Sequence, residues 1–239
     1  MDETKTDRSA QERPPIQGLL LVDKPGGMTS HDVVQHVRRI YGERSIGHLG
    51  TLDPFATGLL VLLIGRATRL ATFLDTEPKV YDATIKFGTE TDTDDLTGTV
   101  IRTADLPRGS DVRTGLEKLT GTISQVPPAY SAKSVDGTRA HDAARRGQPL
   151  DLPAVEVTVH SWNIRELDGD TLSATITCSG GTYIRALARD LGRLTSSAAH
   201  LSALRRTRVG DFEVASAATL EALSAEPARV RPLRVVADA

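Results

Sequence analysis

The residues best suited to chemistry lie in a short segment, residues 47–58, with the sequence GHLGTLDPFATG. It holds one carboxylate, Asp53, among three glycines and directly before Pro54. Glycine permits conformations and close approaches that other residues resist, and proline disfavours a helical conformation in the residue before it. The pattern therefore predicts that a loop presents Asp53. A carboxylate presented in this way can act as a nucleophile or a base. The alternative is an Asp-Pro turn that only caps the next element, because such a turn has the same composition.

The elements on either side of this segment are predicted from apolar spacing. Residues 19–22 are typical of a short strand, and after a turn at 23–27 either Thr29 or Ser30 can cap a helix that Gly42 ends. Residues 59–64 form a continuous apolar run that favours a buried strand, and 67–74 favour a short helix. Asp53 would then lie between a helix and a buried strand.

The remaining pattern mixes strands and helices without strict alternation. Strands are predicted at 80–87, from Thr97 onward, at 204–209 and at 212–214, with a hairpin of 155–164 and 172–178 across the turn at 168–170. Helices are predicted at 111–119, at 138–146, and at 183–191, the last capped by Thr182 and stopped by Gly192. We predict a mixed α/β fold (α+β) with a largely antiparallel central sheet flanked by helices and loops.

Composition narrows the class of protein. The chain has 239 residues, 39% of them hydrophobic, a net charge of -2, no apolar run near 18 residues and a charged N-terminus. We therefore expect a cytoplasmic protein without a membrane span or secretory signal. The single cysteine, Cys178, can form neither an intrachain disulfide nor a zinc cluster, so no metal is expected. No segment resembles a coiled coil, and we expect a monomer. Residues 1–15 are polar and of mixed charge, which predicts a disordered tail.

Charge is distributed unevenly along the chain. Residues 185–208 carry six arginines against one aspartate, a net +5, whereas residues 90–111 carry six acids against two arginines, a net -4. This polarity could orient a polyanion on one face, as a nucleic-acid-binding protein would require. A solvated helix and a solvated loop would give the same pattern.

Several motifs resemble, in order, those of the TruB family of bacterial tRNA pseudouridine synthases. Residues 47–60 follow the pattern GH-x-G-x-LDP-x-ATG-x-L, and residues 178–192 follow C-S-x-GTYIR-x-L-x-x-DLG. Further matches occur in KVYDA at 79–83, TDTD at 91–94 and QVPPAYSA at 125–132. The resemblance extends from about residue 18 to 214. It implies a pseudouridine synthase fold, with a catalytic domain at 16–214.

The resemblance implies catalytic roles for three residues. Asp53 matches the catalytic aspartate, Arg185 the arginine that pairs with it, and Tyr81 the tyrosine that stacks on the target base and is implicated in proton transfer. A neighbouring guanidinium would keep a carboxylate ionised in a water-poor pocket, where burial alone would neutralise it. Taken without the resemblance, Arg185 also fits a surface or phosphate-contacting arginine, and Tyr81 fits a packed strand tyrosine.

Five further residues match substrate-binding positions of the family. His48 matches a histidine that occupies RNA space near the flipped base, and Leu204 matches an apolar pocket residue. Arg205 and Arg206 would then face phosphates, and Lys24 matches a lysine that supports the active-site loops. Outside the resemblance, a loop histidine and a lysine beside a Pro-Gly turn are compatible with simple exposure to solvent.

The implied reaction is the isomerisation of uridine 55 in the T-loop of tRNA. The N1 bond to the ribose breaks, the base turns, and C5 joins the same ribose carbon, so no redox partner or group donor is required and we expect no cofactor. Because this uridine lies in a folded T-arm stem-loop, the enzyme must flip it out. A carboxylate could attack the sugar, attack the base or remove a ribose proton.

Two alternatives remain open at this stage. A non-catalytic tRNA-binding folding factor would keep the basic segment without needing the Asp, Arg and Tyr set. A carboxylate-based glycosidase would usually need a second acid, and none accompanies Asp53 in its loop.

The chain departs from the family pattern at two places. His141 stands where the family commonly has tyrosine. Only 29 residues follow Gly210, which predicts a short extension at 215–239 and an absent or truncated C-terminal RNA-binding module, the PUA domain.

Overall fold

The structure is a computed structural model that describes residues 16–131, 133–135, 137–227 and 230. The predicted tail and the end of the predicted extension lie outside these residues. The strands in the described part are β1 (Gly18–Lys24), β2 (Ile46–Leu49), β3 (Thr57–Ile64), β4 (Lys79–Phe87), β5 (Thr89–Thr91), β6 (Val100–Thr103), β7 (Gly121–Gln125), β8 (Ser134–Val135), β9 (Thr138–Arg139), β10 (Val155–Asp168), β11 (Thr171–Cys178), β12 (Ala199–Val209) and β13 (Phe212–Glu213). The α-helices there are α1 (Ser30–Tyr41), α2 (Gly109–Lys118), α3 (Ala140–Arg145), α4 (Ile184–Leu194) and α5 (Leu220–Ala225).

Nine of these strands form one sheet. Seven follow the order β1-β3-β12-β4-β11-β10-β7, with β2 beside β3 and β13 beside β12. Neighbouring strands are antiparallel except β3 and β12, which pair in parallel over two residues. The predicted mixed α/β fold with a largely antiparallel sheet is therefore confirmed, as is the hairpin that became β10 and β11.

Strand β12 begins earlier than its sequence pattern indicates. It starts at Ala199, five residues before the predicted strand, and pairs with β4 along its length. The register shifts between Leu201 and Ala203 and again between Arg206 and Arg208. Each shift interrupts the alternation of faces on which a strand prediction depends.

Helix α1 ends where its capping residues predict. Thr29 accepts a hydrogen bond from the Asp32 backbone N–H at 3.0 Å, Asp32 accepts one from the Thr29 N–H at 2.9 Å, and Gly42 closes the helix in a left-handed conformation. This arrangement is a capping box followed by a glycine C-cap. The next predicted helix, 67–74, is instead a shorter 3-10 helix, Gly65–Leu70.

Helix α4 does not follow its predicted ends. Thr182 is not its cap, because Tyr183 holds the N-cap position and Gln125 Oε1 accepts the Tyr183 N–H at 2.9 Å. Gly192 lies inside the helix, not after it. A Cβ at residue 192 would come 2.5 Å from the Ala199 backbone nitrogen, so glycine is required for close packing against β12 and does not stop the helix.

Two groups of buried side chains hold the helices to the sheet. Helices α2 and α4 pack on β4 and β11 through Leu116, Leu187 and Leu191. Helices α1 and α5 share a second cluster with β1 and β3, in which Leu220 and Leu223 contribute from α5. None of the helices in the described part of the chain is long and apolar enough to cross a membrane.

Candidate active site

The predicted catalytic residues meet in one cavity of about 260 Å³. Its wall brings together the loop between β2 and β3, the start of β4, the segment that leads into α4, and β12. Five of the predicted site residues line it, namely Asp53, Tyr81, Arg185, Leu204 and Arg206, and the segments around Gly50 and Gly181 complete the wall. Residues more than 100 positions apart therefore come together at this site.

Asp53 and Arg185 form a two-pronged ion pair. Arg185 Nε donates to Asp53 Oδ2 at 2.8 Å, and Nη2 donates to Asp53 Oδ1 at 2.9 Å. The guanidinium also donates to the carbonyls of Thr93 and Tyr130, at 2.9 and 3.0 Å. Only 5% of the Arg185 side chain is exposed, against 32% for Asp53. The arginine is thus fixed by four acceptor contacts, and the carboxylate keeps part of its surface toward the cavity.

The loop that carries Asp53 is held through its backbone carbonyls. Ser30, at the start of α1, donates to the Leu52 carbonyl at 3.1 Å and accepts the Leu52 N–H at 2.9 Å. The Pro54 carbonyl accepts from the Gly27 N–H at 2.8 Å and from Lys24 Nζ at 3.3 Å. Because a loop lacks the partners that a strand or helix supplies, these contacts fix its conformation.

Lys24 is fully buried and serves the turn before α1 as well as the loop. Its Nζ donates to the carbonyls of Pro25 and Met28 at 2.8 and 2.7 Å, in addition to Pro54. Burial lowers the pKa of Lys24 to about 8, while the Asp53 carboxylate opposes that shift. The geometry agrees with a lysine that supports the active-site loops.

Arg206 lies buried inside the protein and does not face the surface where phosphates were expected. Its side chain is 1% exposed and donates to the carbonyls of Leu59, Thr51 and Gly50 at 2.8, 3.3 and 3.0 Å. All of these acceptors belong to the loop that carries Asp53 or to the strand after it. The expectation that Arg206 faces phosphates is therefore wrong, because strand β12 alternates and turns this side chain inward under the loop.

The glycine after the loop explains how Arg206 comes so close. Gly58 has a φ of +102°, and a Cβ there would lie 2.3 Å from the Arg206 carbonyl oxygen. Any side chain at residue 58 would separate β3 from β12 where they pair in parallel. Gly58 thus couples the loop to the strand that supports it.

Arg205 points away from Arg206, as expected for adjacent strand residues. It makes a two-pronged pair with Asp23, at 2.9 Å from Nη1 and 2.7 Å from Nη2, and 40% of its side chain is exposed. It does not line the cavity that holds Asp53. Its contact with phosphate stays a prediction.

Tyr81 and Leu204 form the apolar part of the cavity. Both are buried, at 7% and 8% exposure, and they lie on the neighbouring strands β4 and β12. Burial raises the pKa of the Tyr81 phenol, and the Arg206 guanidinium beside it acts in the opposite direction. The ring can lie against a planar base, and its hydroxyl stays protonated at neutral pH.

His48 lies on the other side of Asp53, in a second cavity of about 430 Å³ that also contains His31, His141 and Arg145. It is half-buried in β2, and its Nδ1 has no hydrogen-bond partner within the described residues. Burial lowers the pKa of His48, with Arg206 and His31 acting in the same direction. The role of His48 beside a flipped nucleotide stays a prediction.

The two oppositely charged segments pair with each other. Arg189 binds Asp94 at 2.8 Å, and Arg193 and Arg102 both bind the buried Glu90. Part of the charge polarity along the chain is therefore neutralised between α4 and the region around β5, because two arginines of the helix pair with acids at residues 90 and 94. Sequence reasoning missed these pairs, although the spacing of arginines at 185, 189 and 193 places them along one face of a helix.

Sequence reasoning also missed two other residues at the site. Gln125 is fully buried and holds both the N–H and the carbonyl of Tyr183, at 2.9 and 3.2 Å. It lies in the QVPPAYSA match, but nothing in the pattern reveals its partner. Lys79, at the start of β4, lines the cavity with Tyr81.

Comparison with known proteins agrees with this geometry. The solved structure titled "Crystal Structure of a Cbf5-Nop10-Gar1 Complex" superposes with a TM-score of 0.68 at 28% identity, over 87% of this chain and 54% of that one. A second, titled "Structure of H/ACA RNP bound to a substrate RNA containing 2'-deoxyuridine", gives a TM-score of 0.64 at 27% identity, over 87% and 52%. The present chain spans about half the length of each.

Family models match most of the sequence. The TruB family pseudouridylate synthase (N terminal domain) model matches residues 38–184, and the tRNA pseudouridylate synthase B C-terminal domain model matches 185–233. Fold and site together define a pseudouridine synthase. Proteins named tRNA pseudouridine synthase B are 51% identical in Thermobifida fusca, over 87% of this chain and 75% of the relative, and 49% identical in Nocardia farcinica, over 92% and 75%. The chain belongs to the TruB family.

Proposed function

We propose that this enzyme converts uridine 55 in the T-loop of tRNA to pseudouridine. The observation that carries the proposal is the two-pronged Asp53–Arg185 pair in the wall of a cavity that also contains Tyr81 and Leu204. Membership of the TruB family supports the reaction class, and the name of the relatives, tRNA pseudouridine synthase B, supports tRNA as the substrate.

The reaction rearranges one nucleoside. The bond between N1 and C1′ breaks, the uracil turns, and a bond from C5 to C1′ forms, while C5 loses a proton and N1 gains one. Asp53 acts as the nucleophile or base, and the direct pairing with Arg185 keeps the Asp53 carboxylate ionised. Tyr81 lies beneath the uracil, and Leu204 contributes the apolar surface on which the ring can turn.

The uridine must leave its stack before it meets these groups. A cavity of about 260 Å³ admits a single nucleoside and excludes the stem of an RNA hairpin. We therefore propose that the T-arm presents one everted nucleotide, with His48 beside it, and that unstacking is compensated by contacts in the cavity. We further propose that the enzyme acts on tRNA in the cytoplasm. We also propose that it works as a monomer, because one chain supplies all three catalytic side chains.

An unmodified T-arm transcript tests this function. Wild type should convert uridine 55, and a transcript with cytidine at that position should give no product. Asp53→Asn should bind the transcript without converting it. Asp170→Asn, which removes an acid paired with Lys86 far from the cavity, is the matched control and should act like wild type. Binding without product by wild type would favour a folding factor, and equal activity of Asp53→Asn would refute the catalytic role.

A further inference from the structure

The catalytic cavity contains three cationic side chains, and two of them are engaged by the protein. Arg185 pairs with Asp53, and Arg206 donates to three backbone carbonyls. The third, Lys79, lines the same cavity but makes no side-chain hydrogen bond or ion pair with any residue that the structure describes. Lys79 is therefore the cation of this cavity that is available to bind a ligand.

The position of Lys79 is defined by two turns and a strand. Its Nζ lies 3.7 Å from the point where a Cβ would stand on Gly50, and 3.2 Å from the equivalent point on Gly180. These two glycines belong to the segments that carry Asp53 and Arg185. Because neither has a side chain, the amine fits between the two segments that supply the catalytic ion pair.

Lys79 forms no ion pair within 4 Å with any carboxylate of the described residues. Burial lowers the pKa of Lys79, the Arg206 guanidinium lowers it further, and the Glu77 carboxylate opposes them from a greater distance. Glu77 Oε1 accepts the Gly180 N–H at 2.8 Å and does not contact the amine directly. A partly desolvated ammonium beside another cation attracts an anion that can enter the cavity.

The nucleotide offers an anion at a suitable distance. Lys79 and Tyr81 are two residues apart on β4, so their side chains share one face, about 6.8 Å apart along the strand. That separation is comparable to the distance between the base and the phosphate of a single nucleotide. Uracil is neutral, and the charge of the substrate resides on its phosphodiester.

We propose that Lys79 binds a phosphate of the everted nucleotide while its uracil lies against Tyr81. This inference rests on the proposed function, because it requires an RNA substrate in the cavity. In this arrangement Lys79 holds the backbone, so that the sugar stays in place beside Asp53 while the base turns. Phosphate contacts of this kind position a nucleic acid without reading its sequence.

The test compares Lys79→Gln with Lys86→Gln, a matched variant on the same strand whose lysine is exposed and paired with Asp170. Binding is measured in proteins that also carry Asp53→Asn, so that no product forms. The probes are the T-arm RNA and two copies in which the phosphate 5′ or 3′ of uridine 55 is a neutral methylphosphonate.

Lys79→Gln should weaken binding of the normal RNA by about 10- to 100-fold, the range for losing a hydrogen bond to a charged group. For one of the two methylphosphonate RNAs, the dissociation constants of the parent protein and of Lys79→Gln should agree within about threefold. With the normal RNA, the steepness of log K against log salt should be lower by about 0.7 to 1 in Lys79→Gln than in the parent. Lys79→Arg should restore part of the affinity, and Lys86→Gln should match the parent protein.

The inference fails if Lys79→Gln weakens all three RNAs equally with an unchanged salt slope, since the lysine would then contact base or sugar. It also fails if the loss follows a fall in thermal stability that Lys79→Arg shares, because the role would then be structural. The wild-type activity assay separates the two proposals. Product formation with no change in the salt slope of Lys79→Gln overturns only the role of Lys79, whereas no product from wild type overturns the proposed function.

Discussion

Helix α4 carries two aspartate–arginine pairs one turn apart, and they differ in what surrounds the acid. Arg185 binds Asp53 and Arg189 binds Asp94, each with a shortest contact of 2.8 Å. Both arginines are almost fully buried, and each also donates to at least one backbone carbonyl of the 126–130 segment. The two pairs share residue types and shortest distance, but Arg185 binds both oxygens of Asp53, whereas Arg189 binds one oxygen of Asp94 and gives its Nε to Asp190.

A further difference lies in the exposure of the acid. Asp53 is 32% exposed and borders the cavity, whereas Asp94 is 8% exposed and lies outside the lining of that cavity. Burial raises the pKa of Asp94 to about 6 against the pull of Arg189 and Arg185. We infer that a catalytic pair needs both the two-pronged contact and an opening beside the acid, since residue types and shortest distances alone do not distinguish the two pairs.

The largest effect should appear when each acid is made neutral in turn. Asp53→Asn should reduce the single-turnover rate of pseudouridine formation by at least about 1000-fold, the loss of the reacting group itself. Asp94→Asn should change that rate by less than about threefold in folded protein, because Asp94 does not reach the substrate. A large rate loss in Asp94→Asn at unchanged secondary structure would remove the distinction between the pairs.

The structural pair should dominate stability. Arg189→Met leaves Asp94 buried without its nearest cation, and removal of one partner of a buried pair typically destabilises by about 3 kcal/mol or more. Chemical denaturation monitored by circular dichroism would measure this change. Asp170→Asn is the control in the same assay, with a change expected below about 1 kcal/mol because it removes one partner of the exposed pair with Lys86. A loss in Arg189→Met no larger than that in Asp170→Asn would contradict the assignment.

The pH dependence of stability should identify Asp94. With a pKa of about 6 in the folded state and an ordinary value near 4 when unfolded, Asp94 binds more protons in the folded than in the unfolded protein between those values. Its contribution to the free energy of unfolding therefore falls as pH rises from about 4 to 6, by at most about 1.4 kcal/mol per unit. The difference between wild type and Asp94→Asn, measured by denaturation across this range, should show that fall and then level off. A difference that rises with pH would contradict the burial of the charge.

The smallest effect is expected at the outer end of the same helix. Arg193 binds Glu90, but 55% of the arginine side chain is exposed and Glu90 keeps a second partner in Arg102 at 3.0 Å. Arg193→Gln should therefore cost less than about 1 kcal/mol in denaturation experiments. A loss of stability as large as that of Arg189→Met would show that the exposure of the arginine does not determine how much each pair along α4 stabilises the protein.

Much of the framework could be predicted from local sequence. The caps of α1 and the alternation in β4, β10 and β11 are short-range signals, and the structure confirms them. The ends of α4 were not predictable, because Gln125, 58 residues away, holds the backbone of the N-cap residue Tyr183, and Gly192 allows close packing against β12. Those are tertiary requirements that leave no local pattern.

The candidate site shows the same division. Asp53, Tyr81 and Arg185 were found through motifs, and the structure brings them into one cavity. Arg206 was assigned to phosphate because a basic pair on a strand has no sequence feature that reveals which member turns inward. The pairing of the acidic and basic segments was missed for a related reason, since charge counts along the chain do not show which charges meet in space.

The Arg185→Lys variant tests whether the two-pronged contact from Arg185 makes Asp53 reactive. Lysine keeps the positive charge but cannot bind both carboxylate oxygens in one plane. We expect the single-turnover rate of pseudouridine formation on T-arm RNA to fall by about 100-fold while the dissociation constant for that RNA changes by less than about threefold. An unchanged rate, or a loss confined to RNA binding, would show that Asp53 does not depend on the two-pronged contact.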